Sequence, residues 1–227
     1  MSLPIIITAG NAVQEVRTLF DRPDLNRYFP LVKTELGPEI KFFGNVSVET
    51  RELPDKTDDF YMLGRRFGWA VALVLTNTGH VLLNVQPKPG LDSASLEMPA
   101  GGIGKDPKRT EADIISLTKA AVLKETGYGR GIATYLGFSL IETGKMFDPA
   151  TQEPFVPGVG RGLKAHCILI QNVRRITDQD LAKTEKIQPI LVTINDLFDL
   201  VRENVLVETS AINCFTLAML KGGLVRQ

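Results

Sequence analysis

The sequence predicts a mixed α/β (α+β) fold in which one mixed β-sheet is sandwiched between helices. Three observations carry that prediction. Segments with the two-residue period of strands are interleaved along the chain with segments of helical period. Several strands follow one another across short turns while others are separated by a helix, which asks for a mixed sheet and not a doubly wound parallel one. Hydrophobic residues make up 44% of the 227 and charged residues 23%, a globular balance that can fill a substantial core and excludes a disordered chain.

The elements follow in order. Asn11 to Phe20 has a helical look and is followed by proline-containing turns at Pro23 and Pro30. Lys41 to Leu53 alternates apolar and polar residues, as a half-buried strand does, and the polar turn Pro54 to Asp59 leads into a second strand, Phe60 to Arg65. Residues 1–66 thus read as a small β-rich N-terminal extension, too short to hold a core alone. Residues 67–227 read as the main domain. Trp69 to Thr76 and Val81 to Val85 form a hairpin across Asn77-Thr78-Gly79-His80, since Asn and Gly tolerate positive φ. Ser95 to Met98 is a short strand before the glycine-rich Ala100 to Gly104.

Thr110 to Thr126 places Ile114, Leu117 and Ala121, with Ile115 and Val122, at helical spacing, and Gly127 ends the helix. Strands at Ile132 to Glu142 and Ala165 to Val173 flank a long Pro- and Gly-containing loop, Thr143 to Gly162, of the length that functional loops have. Pro189 to Thr193 is the last strand. Helices over Asp196 to Glu203 and Thr209 to Lys221 complete the chain, with Gly222-Gly223 closing the second.

Composition narrows the function classes. Twenty-six Lys and Arg balance 26 Asp and Glu, and no basic stripe is present, so nucleic acid is not an expected partner. The longest apolar run, Trp69 to Leu75, is far short of the roughly 20 residues of a membrane helix. The N-terminus lacks the charged and apolar regions of a secretory signal. Cys167 and Cys214 lie far apart in apolar surroundings, so the alternatives are one disulfide or, as expected here, two buried free thiols in a reduced cytoplasm.

Two phosphate-loop patterns fail. Gly104-Lys105 would need Gly at 99 and Ser or Thr at 106, where Pro99 and Asp106 stand. Gly158 to Gly162 lacks the third glycine of a dinucleotide fingerprint and precedes a strand instead of following one. His80 in a hairpin turn and His166 at the start of a strand supply no metal-ligand spacing, and both read as structural or solvated.

Leu96 to Tyr128, LEMPAGGIGKDPKRTEADIISLTKAAVLKETGY, carries more information. It resembles the signature of the Nudix superfamily in its ADP-ribose pyrophosphatase-like branch, where a strand ending E-x-P-A-G leads through a glycine-rich loop to a helix reading R-E-x-x-E-E-x-G. Glu97, Pro99, Ala100, Gly101 and Gly102 match the start. Val122-Leu123, Glu125, Gly127 and Tyr128 match the end. The likeness extends from about Phe67 to Leu220 and implies a Nudix fold, with the N-terminal extension as a dimerising segment and a homodimer as the assembly. It also implies a nucleoside diphosphate-linked small molecule, of ADP-ribose or nucleotide-sugar type, as the compound hydrolysed or bound.

In that family three carboxylates on one helix face hold Mg²⁺ or Mn²⁺, hard cations that prefer oxygen ligands. Here the box is degenerate. Ala120 takes the Arg position, Ala121 and Lys124 take the first two carboxylate positions, and Glu125 alone remains. Across the three ligand positions the formal charge goes from −3 to 0 (0 + 1 − 1). At ~4 Å and an effective dielectric of ~20 each charge pair is worth about 4 kcal/mol. A multinuclear site is therefore not expected on this helix. One weak metal site remains, with Glu125 and the Ala100 carbonyl as ligands and Glu111, after a one-residue slip, as the nearest match for the box's earlier glutamate.

By the same resemblance Glu125 and Glu185 are the candidate catalytic residues, Glu185 as the base on the loop before the last strand. Lys88, Lys124, Gly101 and Gly102 are the candidate substrate contacts. Lys124 could also stand in for a cation and meet a phosphate directly. The two functions implied are a diphosphate hydrolase and a catalytically degenerate binding module or dimeric scaffold.

Overall fold

The computed structural model describes residues 3–25, 46–52, 59–65, 68–88, 93–104, 109–142, 163–182 and 185–224. Among them the chain runs β1 (Ile5–Ile6), α1 (Ala12–Phe20), β2 (Val46–Glu52), β3 (Asp59–Arg65), β4 (Gly68–Thr76), β5 (Val81–Lys88), β6 (Ser93–Glu97) and β7 (Ala100–Gly104). It continues through α2 (Glu111–Thr126), β8 (Tyr128–Gly129), β9 (Ile132–Glu142), β10 (Leu163–Arg175), β11 (Gln188–Val192), α3 (Ile194–Arg202) and α4 (Thr209–Gly222).

The main sheet has nine strands in the order β1-β11-β5-β4-β10-β8, with β6 on β5, β7 on β4 and β9 on β10. It is mixed, because β1/β11 and β4/β10 are parallel while the other pairs are antiparallel. Successive residues of a strand face opposite sides, as they do in β4 and in β10 up to Ile170, after which the register with β4 shifts before Val173. Val71, Leu73, Cys167 and Leu169 join one core with Val16 of α1, Leu200 of α3 and Cys214 of α4. Ala70, Ala72, Val74, Ile168 and Ile170 join the other with Ile114 and Val122 of α2. The sheet is thus covered by three helices on one face and by α2 on the other, as expected. Both cysteines are buried free thiols.

Some elements differ from the sequence reading. Ala100 to Gly104, read as a glycine-rich loop, is a strand that pairs with β4, Val71 opposite Ala100. A two-residue β1 lies parallel to β11, too brief to leave a period. Residues 5–25, grouped with the extension on sequence, share the core of the main sheet, where Val16 and Leu25 are fully buried. The antiparallel β2–β3 hairpin, with Val46 opposite Arg65, forms a separate two-stranded sheet. The expected strand start at 41–45 and the loop 143–162 lie outside the described residues.

Local chemistry sets the helix ends. Thr110 and Asp113 form a reciprocal capping box at the start of α2, and Thr193 and Asp196 do the same for α3. At the end of α2, Gly127 takes a left-handed φ of 77° and its N–H reaches the Leu123 carbonyl.

Candidate functional site

The site begins as a polar stripe on β5. Asn84, Gln86 and Lys88 alternate with the buried Val85 and Pro87 and therefore share one face. The antiparallel register sets them opposite Glu97, Ser95 and Ser93 of β6. Glu97 is consequently enclosed by donors: Gln86 Nε2 at 2.5 Å, Ser95 Oγ at 2.7 Å and Lys88 Nζ at 2.8 Å. A carboxylate that already accepts from three side chains is a structural anchor for the strand pair, with few lone pairs left for another ligand.

The C-terminal turn of α2 lies over this stripe. Oε2 of Glu125 accepts from Asn84 Nδ2 at 3.0 Å and from the Ala100 N–H at 3.3 Å. Burial is the largest influence on the Glu125 carboxyl. The Ala100 N–H and Lys124 favour its charged form, while Glu185 and Glu97 oppose it, and the balance pushes it up to about 7. This carboxylate, matched by the sequence resemblance to the last box position, is thus shifted toward neutrality by its burial.

Lys124 points away from that carboxylate to Glu185, with Nζ at 3.0 Å from Oε1 and 2.9 Å from Oε2. Glu185 also accepts from the Ala182 N–H at 2.7 Å. Burial pushes the Glu185 carboxyl up, but its bonds to Lys124 and Ala182 outweigh that and hold it below the ordinary value. The loop that carries Glu185 is tied to the end of α2. Ile176 N–H reaches the Gly127 carbonyl at 2.9 Å, Asp180 N–H reaches the Lys124 carbonyl at 2.9 Å, and the Gln179 amide bridges the carbonyls of Glu125 and Ile187.

The close seating of β7 under α2 depends on two small residues. A Cβ added to Gly101 would come within 2.5 Å of the Ala121 Cβ, so a side chain at 101 would push the helix away. A Cβ at Gly102 would meet nothing, and that backbone is open to solvent.

The structure therefore brings together Glu125, Ala100, Gly101, Glu97, Lys88, Lys124 and Glu185, all singled out on sequence. It does not bring Glu111. That residue opens α2 on an exposed face, and the fourteen residues to Glu125 span about 21 Å at about 1.5 Å each. The two do not share an ion, so Glu111 leaves the ligand set. The remaining donors do not fit a multinuclear Mg²⁺ site. Each of the three carboxylates is engaged by protein N–H or ammonium donors, and among the described residues no three His, Cys, Asp or Glu form a metal-holding group.

Three participants escaped the sequence reading: Asn84, Gln86 and Gln179. The alternation in NVQPK was a visible signal for the first two, since polar residues on one face of a buried strand need partners. Gln179 left no local signal. His80 stays in its hairpin, hydrogen-bonded to Thr76 through its N–H. His166 lies between Tyr135 and Phe138, and burial pushes its pKa down to about 4, leaving it neutral. Among the described residues neither histidine is hydrogen-bonded to the site residues.

No protein-family profile matches the sequence, and no curated protein matches it. A solved crystal structure described as an ADP compounds hydrolase is similar to it, with a TM-score of 0.57 and 15% sequence identity. The match covers 78% of this chain and 86% of that one. A likeness at this identity establishes the fold, which is Nudix-like.

Proposed function

We propose that this chain binds a nucleoside diphosphate-linked compound, of ADP-ribose or nucleotide-sugar type, over the face built from β5, β6, β7 and the C-terminal turn of α2. The observation that carries the reading is the junction at Glu125. The residue retained from the family box is held against the first residue of the A-G-G segment and against Asn84, between two lysines of opposite flanks. Lys88 and Lys124 supply positive charge for phosphates, and the open backbone at Gly102 lets a ligand approach closely. The similar ADP compounds hydrolase supports this substrate class.

Binding without turnover is the form these donors favour. Hydrolysis of a diphosphate in this fold depends on cations that organise the phosphates and activate water, and the carboxylates here are committed to protein donors. Glu185, held ionised by Lys124, is poorly prepared to take a proton from water. The second reading, a slow hydrolase, is favoured by one feature: burial pushes the Glu125 carboxyl up to about 7, a range in which acid–base catalysis is effective.

The test is thermal unfolding with ADP-ribose and with UDP-glucose, each against ribose 5-phosphate. A diphosphate-linked ligand at 100 times its dissociation constant should add about 2.7 kcal/mol of stability. Absence of any shift at millimolar concentration with both compounds would sink the reading. A phosphatase-coupled assay for released phosphate decides between binder and hydrolase.

A further inference from the structure

We infer that the ligand's diphosphate is taken up by exchange at Lys124: the phosphate replaces Glu185 as the partner of the Lys124 ammonium, and no divalent cation is needed for binding. The inference rests on the reading above that the ligand is a nucleoside diphosphate-linked compound, and it specifies how that ligand is held.

Four observations support the exchange. Lys124 stands next to Glu125 in the last turn of α2, and its ammonium reaches across to pair with Glu185. Its Nζ reaches both oxygens of Glu185 at 3.0 and 2.9 Å, so the ammonium is already presented to a two-oxygen anion. The pair is accessible, with the two side chains 43% and 33% exposed, and an ion pair at that exposure is weakly held and readily exchanged. A phosphate offers the same two-oxygen geometry with stronger acceptors.

The fourth observation concerns Asn84. This residue is 1% exposed and gives its Nδ2 to Glu125, but its Oδ1 has no partner. A buried acceptor without a donor is costly. Beside Glu125 it offers a place for a donor brought with the ligand, either a hydroxyl of the sugar or a water held by it. The cluster therefore has a cation that can be released and an acceptor that is waiting. The carboxylates that would hold a dication are already engaged, Glu97 by Lys88, Gln86 and Ser95, and Glu185 by Lys124.

The exchange also has a structural consequence. The Glu185 loop is anchored to α2 through backbone atoms and Gln179, not through the ion pair alone. Release of the Glu185 side chain therefore leaves the loop seated and frees one carboxylate to solvent.

The experiment is titration calorimetry of the full chain with ADP-ribose and with UDP-glucose, in Mg²⁺ and in EDTA. It is repeated for Lys124→Gln and Glu185→Gln, with circular dichroism as the check on folding. The expected result is equal affinity in both buffers, about tenfold or greater weakening for Lys124→Gln, and a few-fold tightening for Glu185→Gln, because the internal competitor is gone. Opposite signs for the two partners of one ion pair are not produced by a merely structural role. Binding that requires Mg²⁺ overturns the inference and leaves the broader reading standing, as does equal weakening by both substitutions. No binding in either buffer overturns both. If Lys124→Gln does not fold, Glu185→Gln and the two wild-type titrations still decide the matter.

Discussion

At Glu125 burial and charge oppose one another. Its carboxyl moves from 4.5 to about 7, chiefly because burial penalises the anion. Between those values the folded chain keeps a proton that the unfolded chain has released. Stability therefore falls as pH rises through that window. The penalty reaches about 3 kcal/mol above pH 7, since each tenfold change in proton affinity is worth about 1.4 kcal/mol. Glu125→Gln keeps an acceptor for Asn84 and Ala100 and removes the charge. Urea unfolding should find the variant more stable than wild type at pH 8 by up to about 3 kcal/mol, with the difference vanishing below pH 4.5. A difference that does not change with pH would show that burial is not what moves the titration of this group.

The end of α2 shows how one backbone conformation serves a helix, a loop and a site. Gly127 has φ 77°, and a Cβ there would run into the Thr177 carbonyl oxygen. The same glycine's carbonyl accepts from Ile176 and Thr177, which begin the loop that ends at Glu185. Gly127→Ala should cost about 2 kcal/mol or more, from the left-handed conformation and the collision together. It should also speed hydrogen exchange at Asp180, whose N–H is bonded to Lys124. Gly102→Ala, at a position with free space, is the control and should leave stability within about 0.5 kcal/mol. Equal effects of the two substitutions would refute the account of Gly127.

For the molecule as a whole, residues 5–25 are tied into the core. β1 extends the sheet beyond β11, and α1 lays Ala12, Val16 and Leu19 on the layer that holds α3. Together with the fully buried Leu25 these side chains bury enough apolar surface that removing residues 1–25 should cost about 5 kcal/mol or more. The measurement is the urea midpoint of the shortened chain. An unchanged midpoint would mean that the segment is an appendage. The two cores on opposite faces of one sheet share β4 and β10, so a single cooperative transition is expected of the intact main sheet.

The long strands, the four helices and the glycine that ends α2 could be read from the chain itself, because period, caps and turn residues are local properties of ten or so neighbouring positions. The departure of Ala121 and Lys124 from the carboxylates of the resembled box was legible for the same reason, since a helix face follows from spacing alone. Shorter or featureless pieces were not. β1 and β8 have two residues each, and β7 is a strand only because β4 supplies its partner. The partners of the site residues were also beyond the sequence. Asn84 meets Glu125 across 41 positions, and Lys124 meets Glu185 across 61. Such distances are closed by strand register and by the seating of α2 on the sheet. Whether a carboxylate is left open to a ligand or taken up by a lysine depends on those long-range contacts, so the tertiary structure alone decided it.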